Sequence, residues 1–201
     1  MTDSPIEFYF DFNSPYGYVG AHLIDNIAER YDRKTDWYPI SLGVAFKITG
    51  MKPMSDIPLK GEYFEIDSAR VCRYYGVDYL KPDVAPFSAT AASRAFYWIK
   101  DKDPGQAKGF AMAIYAAALA KNEDVSAPSS VVKIAAGVGI DQKELLDALQ
   151  EPDIKQRLVD ETDGAIKKGV FGSPFVIADG EPFFGVDRFE ILDEWLVTEG
   201  F

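Results

Sequence analysis

A hydroxyl at Ser14, followed directly by Pro15, is the first group in the chain whose placement suits chemistry. Serine is an N-cap type whose oxygen takes a free amide of the next turn. Proline suits the first helical position, where no amide hydrogen is missed. Ahead of it, Ile6-Glu7-Phe8-Tyr9-Phe10-Asp11-Phe12 is an apolar and aromatic run with two acids, the pattern of a buried strand. A strand that ends at once in a helix start gathers unpaired amides and the positive end of a helix dipole around that hydroxyl. Such a setting holds a thiolate or another anion. The same residues also describe an ordinary capped helix after a core strand, and spacing alone does not separate the two.

Other reactive side chains are few. Cys72 is the one cysteine, which excludes an intramolecular disulfide, and its mid-helix place beside Arg70 and Arg73 reads as a buried structural thiol. His22 is the one histidine, excluding a multi-histidine metal site, and its helical position reads as partly exposed or hydrogen-bonded. No ordered acidic ligand loop is present, so no metal is expected. With 21 basic and 32 acidic residues the net charge is −11, and the basic residues form no block, which argues against nucleic acid and anionic membranes as partners. A local group of cations still suits a small anionic molecule. Met1-Thr2-Asp3-Ser4-Pro5 lacks the features of a signal peptide, and no apolar run approaches the roughly 20 residues of a membrane span, so a soluble cytoplasmic chain is expected.

The elements that must position Ser14 follow from periodicity. Apolar residues at Tyr16, Val19, Leu23, Ile24, Ile27 and Ala28 predict a helix over 16–31, and 34–40 reads as a second strand, completing a parallel β-α-β unit. Then the pattern changes. Residues 42–49 are a short apolar piece closed by Gly50, and 51–54 are a loop. Helices are predicted over 61–75, capped by Gly76, then over 89–100, 106–121, 128–137, 141–149 and 151–168, with a break at 101–105. From Gly169 the chain returns to sheet, with Pro174-Phe175-Val176-Ile177-Ala178 and Glu181-Pro182-Phe183-Phe184-Gly185 joined by Asp179-Gly180, a hairpin signal. Pro174 after Gly172-Ser173 suits a fixed turn and is compatible with a cis bond. A helix over 187–197 ends the chain, and Asp187 at its start has the ordinary reading of an N-cap. The order is α/β: a thioredoxin-like β-α-β / β-β-α core (1–42 and 166–201) with a large all-helical insertion (43–165).

Two stretches carry a resemblance. Phe10-Asp11-Phe12-Asn13-Ser14-Pro15-Tyr16-Gly17-Tyr18 resembles the opening motif of the 2-hydroxychromene-2-carboxylate isomerase family, which is related to kappa-class glutathione transferases within the DsbA-like group. Gly169-Val170-Phe171-Gly172-Ser173-Pro174-Phe175-Val176 with Phe184-Gly185-Val186-Asp187-Arg188-Phe189 resembles its C-terminal signature. Between them, 46–50, 60–63, Asp67 with Arg70, and 86–94 match more loosely, so the likeness runs colinearly over 6–197. In disulfide oxidoreductases the junction carries C-x-x-C; here the tetrad is Ser14-Pro15-Tyr16-Gly17, which excludes thiol–disulfide exchange by this motif.

The resemblance implies a glutathione-dependent isomerase interconverting 2-hydroxychromene-2-carboxylate and trans-o-hydroxybenzylidenepyruvate, or a similar aromatic ketoacid, by reversible thiolate addition. Ser14 is then the catalytic donor to the thiolate. The backbone of Ser173, beside a cis-Pro174, meets the cysteinyl part of glutathione, and Val186 and Asp187 meet the γ-glutamyl end. Tyr16, Phe46 and Phe87 are candidate aromatic walls for the second substrate, with Lys47, Lys60 or Arg94 for its carboxylate. The chain departs from the family at Met51 and Ser88, where asparagine is frequent. The resemblance also implies a homodimer. A kappa-like transferase that conjugates electrophiles and a non-catalytic thioredoxin-like binding protein are the alternatives.

Overall fold

In the computed structural model, residues 4–201 are described; Met1-Thr2-Asp3, part of the segment read above for a leader, lie outside them. The aromatic run forms strand β1 (Ile6–Phe10), and alternation sends its side chains to two faces. Phe8 and Phe10 enter the main core, where Phe10 lies against Phe96 and Tyr115, each at 5.8 Å between ring centroids. Tyr9 takes the other face and stacks on Tyr38 at 5.0 Å, within a smaller cluster containing Ile40, Val170 and Phe175. Each such buried side chain stabilises the fold by about 1.5–3 kcal/mol.

Helix α1 (Pro15–Glu29) leads to strand β2 (Thr35–Pro39), parallel to β1. After the helical excursion come β3 (Phe175–Ala178) and β4 (Glu181–Phe184). The sheet order is β2-β1-β3-β4, with β3 antiparallel to both β1 and β4. Phe8 pairs with both Trp37 and Val176, which puts the ends of β1 and β3 side by side. The Asp179-Gly180 turn has positive φ at both residues, 54° and 89°, as a two-residue hairpin turn of this hand needs.

Between β2 and β3 run α2 (Leu42–Thr49), α3 (Lys60–Tyr74), α4 (Thr90–Lys100), α5 (Pro104–Tyr115), α6 (Pro128–Gly137), α7 (Gln142–Ala148) and α8 (Pro152–Lys167); α9 (Phe189–Thr198) closes the chain. Among the described residues no helix is long and apolar enough to cross a membrane.

Four local readings need correction. The short apolar piece at 42–49 is a helix ended by Gly50 in the left-handed region, and Met54–Asp56 makes a 3-10 turn. The helix expected from Gln106 starts at Pro104, because Asp103 caps it by accepting from the Gln106 amide at 3.0 Å; its last residues, Ala116–Ala120, widen into a π turn. The closing helix begins as a 3-10 turn, Val186–Arg188. On α3, the apolar Tyr63, Ile66 and Tyr74 are exposed, and Ser68 and Cys72 point inward instead.

Candidate functional site

Ser14 ends up with both predicted neighbours. Its Oγ accepts the Gly17 amide at 2.9 Å, capping α1, and donates to the Ser173 carbonyl at 3.0 Å. A hydroxyl accepts and donates at once, so capping leaves its one hydrogen available; the competitor for that hydrogen is the Ser173 carbonyl. The Ser173–Pro174 bond is cis, as its sequence context allowed, and Ser14 is half-buried. The second cis bond, Ala85–Pro86, had no signal that set it apart.

A second layer holds this pair. Ser173 Oγ accepts the Asp11 amide at 3.0 Å, and the Tyr115 hydroxyl donates to the Asp11 carbonyl, also at 3.0 Å. Asp11 is buried, with its carboxylate accepting from the Asn13 amide, the Asn13 side chain and the Leu42 amide at 2.8, 3.1 and 3.1 Å. Burial pushes the Asp11 carboxyl above its ordinary range, and these hydrogen bonds pull it part of the way back. Burial also drives the Tyr115 phenol well above its usual value, so it stays a neutral donor. Gly17 is required by close approach: a Cβ there would sit 2.5 Å from Ser173 Oγ and 2.8 Å from Tyr115 Oη.

Asn13 extends the junction to the helical part. Its Oδ1 accepts the Phe87 amide at 2.9 Å and its Nδ2 donates to the Phe87 carbonyl at 3.2 Å. The sequence reading gave no role to Asp11, Asn13, Gly17 or Tyr115. An Asp two residues before Asn, leading into Ser-Pro, is a turn signal that could have flagged the first two; Tyr115 arrives by tertiary packing alone.

The remaining candidates separate. Val186 is buried, and with Asp187 it lies in the 3-10 turn, where first-turn amides lack partners within the turn. Asp187 does not cap the helix, correcting its ordinary reading. Its carboxylate is 70% exposed and pairs only with the neighbouring Arg188 at 2.8 Å among the described residues. Tyr16 is half-buried and donates to Asp67 at 2.7 Å, tying α1 to α3; burial, with Asp67 beside it, raises its phenol strongly. Phe87 is buried in the main core, so its backbone and not its ring meets the junction, which corrects its reading as an open wall. Phe46 is half-buried on α2, outside both clusters. Lys47 and Lys60 are exposed, and neither makes an ion pair or hydrogen bond among the described residues. Arg94 is half-buried on α4, and its Nε is buried without a partner. Cys72 is buried, as expected, and burial pushes its thiol up to about 11. His22 is exposed on α1, against the Tyr18 ring at 4.8 Å, and its imidazole is lowered by partial desolvation.

Comparison with known proteins agrees with this geometry. The model of the family described as the DSBA-like thioredoxin domain matches residues 5–197. Glutathione S-transferase kappa 1 of Homo sapiens is 26% identical over 200 residues, 93% of this chain and 88% of its own length. A 2-hydroxychromene-2-carboxylate isomerase of Pseudomonas putida is 24% identical over 190 residues, 94% of this chain and 92% of its own. A solved 2-hydroxychromene-2-carboxylate isomerase structure superposes with a TM-score of 0.88 at 22% identity, covering 98% of this chain and 96% of that one. The relatives are distant, and both carry the names of enzymes. A four-stranded mixed sheet and a family match over nearly the whole length converge: the chain belongs to the DSBA-like thioredoxin domain family.

Proposed function

We propose that this protein is a glutathione-dependent enzyme acting on an aromatic ketoacid, with the isomerisation of trans-o-hydroxybenzylidenepyruvate and 2-hydroxychromene-2-carboxylate as the favoured reaction. One observation carries the reading: Ser14 Oγ, at the start of α1, has its single hydrogen aimed at the Ser173 carbonyl beside a cis proline. The donor set fits glutathione. Ser14 offers a half-buried hydroxyl, the 186–187 turn offers amides for a carboxylate, and Asp187 offers an exposed carboxylate for an ammonium.

Glutathione, when bound, supplies a thiolate that adds reversibly to the conjugated ketoacid, so the former double bond turns before the thiol leaves. Ser14 turns its O–H from the Ser173 carbonyl to the sulfur, while its oxygen keeps the Gly17 amide. The freed Ser173 carbonyl is then open to the cysteinyl amide. Asp11 and Asn13 fix the turn from which Ser14 projects. A hydrogen bond to a charged group contributes about 2 kcal/mol, equivalent to lowering a thiol near 8.5 by roughly one to two units. That brings the bound thiol to about pH 7, where roughly half of it is thiolate without a further base. Tyr16 and Phe46 are the remaining aromatic walls. The exposed apolar side chains of Ile48, Leu59, Tyr63 and Ile66 are the surface proposed for a second copy of the chain, and sedentimentation of the purified protein as a monomer would remove that element.

The test is turnover of trans-o-hydroxybenzylidenepyruvate with glutathione assayed before and after. Isomerisation with full recovery of glutathione, and a fall of about 30-fold in Ser14→Ala, is the expected result. Stoichiometric consumption of glutathione would make it a kappa-like transferase. No rise in melting temperature at millimolar glutathione would make it a non-catalytic binding protein.

A further inference from the structure

Phe184 ends the edge strand β4 with its side chain exposed, and no step of the proposed reaction uses it. A single exposed ring needs no explanation by itself, but three contacts hold this one in place. Phe171 meets it edge-on with ring centroids 4.7 Å apart, and Phe175, its cross-strand partner, stacks against it at 6.2 Å. The third contact is with Gly172, a buried loop residue. A Cβ at Gly172 would fall 2.1 Å from Phe184 Cε2, 2.7 Å from Cδ2 and 2.8 Å from Cζ, so the ring fills the space of a side chain. Gly172 lies outside the left-handed region, so contact with the ring, and not backbone conformation, is what excludes a side chain there.

This contact joins the two segments assigned to glutathione. Gly172 directly precedes Ser173, whose carbonyl accepts from Ser14 and whose Oγ accepts the Asp11 amide, both at 3.0 Å. Phe184 directly precedes Gly185, whose amide donates to the Pro174 carbonyl at 3.0 Å and which leads into the Val186–Arg188 turn. The segments are therefore braced twice, once by a hydrogen bond and once by a ring packed on a backbone. A lone hydrogen bond lets two segments rock about it, whereas close packing on a second point removes that freedom. We propose that Phe184 is a positioning residue for glutathione: packed on Gly172, it fixes the Ser173 carbonyl relative to the 186–187 turn. The inference rests on reading the junction as the glutathione site. The ring offers no polar group to the ligand. Its effect on binding comes from loop order that glutathione must otherwise impose for itself.

Two measurements test this, and one of them needs no glutathione. Calorimetric titration is expected to show glutathione binding about tenfold more weakly to Phe184→Ala, and within about twofold of wild type to Phe184→Tyr, which keeps the ring. Gly172→Ala alone is expected to lose about tenfold, yet less than about twofold when added to Phe184→Ala, because the ring it meets is then gone. In turnover, the glutathione KM of Phe184→Ala rises about tenfold while kcat falls less than about threefold. In amide hydrogen exchange of the free protein, Phe184→Ala is expected to speed the Asp11 amide, bonded to Ser173 Oγ, by about tenfold or more. The amides of β2 keep their wild-type rates, which also reports that the variant is folded. Where wild type binds glutathione, unchanged affinity in Phe184→Ala overturns the proposal, and so do additive losses in the two substitutions. A rise confined to the KM of the ketoacid overturns it too, since Phe184 is then a wall for the second substrate. If Asp11 exchange quickens while glutathione gives wild type no rise in melting temperature, the junction reading fails, and with it the ligand named here, while the brace between the two segments stands.

Discussion

The junction and the cleft at the start of α4, whose lining includes Ser88, Arg94, Gln150 and Lys155, are built in opposite ways. At the junction the polar side chains have partners inside the chain: Ser14 is shared between Gly17 and Ser173, Asp11 takes three donors, and Asn13 is used on both sides of its amide. In the cleft neither Arg94 nor Lys155 has an ion pair among the described residues, and the Arg94 Nε is buried without a partner. A satisfied network fixes geometry, whereas a buried polar atom left without a partner costs stability. The difference teaches that the two regions answer differently to substitution. One holds a hydroxyl in place, and the other leaves a buried donor unmet.

Substitutions should divide along the same line. Gly17→Ala is expected to cause the largest loss, about 3 kcal/mol in urea unfolding, because neither Ser173 Oγ nor Tyr115 Oη is free to retreat from a Cβ. A variant as stable as wild type would show the junction to be loose. Ser14→Ala removes the cap of α1 and is expected to cost about 1 kcal/mol in the same measurement, apart from its effect on turnover.

The legibility of the sequence follows the same contrast. Ser14, Pro15 and the Asp179-Gly180 turn were readable because caps and turns are decided within a few residues of chain. The strands were readable because β1 is almost wholly apolar and the chain returns to sheet with a hairpin, whereas the pairing of β3 with β1 across the helical excursion carried no local signal. Tyr115 and the unpaired state of Arg94 were not readable, since both depend on which helix lies against which. The α3 residues show the limit of periodicity: Tyr63, Ile66 and Tyr74 are apolar and helical in spacing, yet they face outward. Phe87 shows the reverse, an aromatic taken for a wall that serves the core.

Asp11 gives the comparison a pH signature. Its carboxyl is raised in the folded protein, so above about pH 4 the folded chain still holds a proton that the unfolded chain has released. Its contribution therefore favours folding at low pH and is lost as pH rises through the folded value. Asp11→Asn cannot titrate, so the stability difference between this variant and wild type should shift in the variant's favour from pH 4 upward, then level off. A flat difference curve would mean that burial does not perturb Asp11. At the cleft the sign of a substitution reverses: Arg94→Met keeps the apolar stem and removes the unpaired charge, so stability should hold within about 0.5 kcal/mol or rise. A loss like that of Gly17→Ala would mean that Arg94 is structurally paired after all. Smallest of all is the expected reaction of Cys72, whose thiol, pushed up to about 11 and buried, should resist alkylation in the native protein at pH 7.5 and react once urea unfolds it.

The most direct test of the central claim, that the Ser14 hydroxyl stabilises a thiolate, is the ultraviolet thiolate absorbance of bound glutathione followed across pH in wild type and Ser14→Ala. The account predicts that the bound thiol ionises roughly one to two units below its free value near 8.5, and that Ser14→Ala returns it most of the way. Superimposable titrations of the two proteins, with glutathione bound in both, would contradict it.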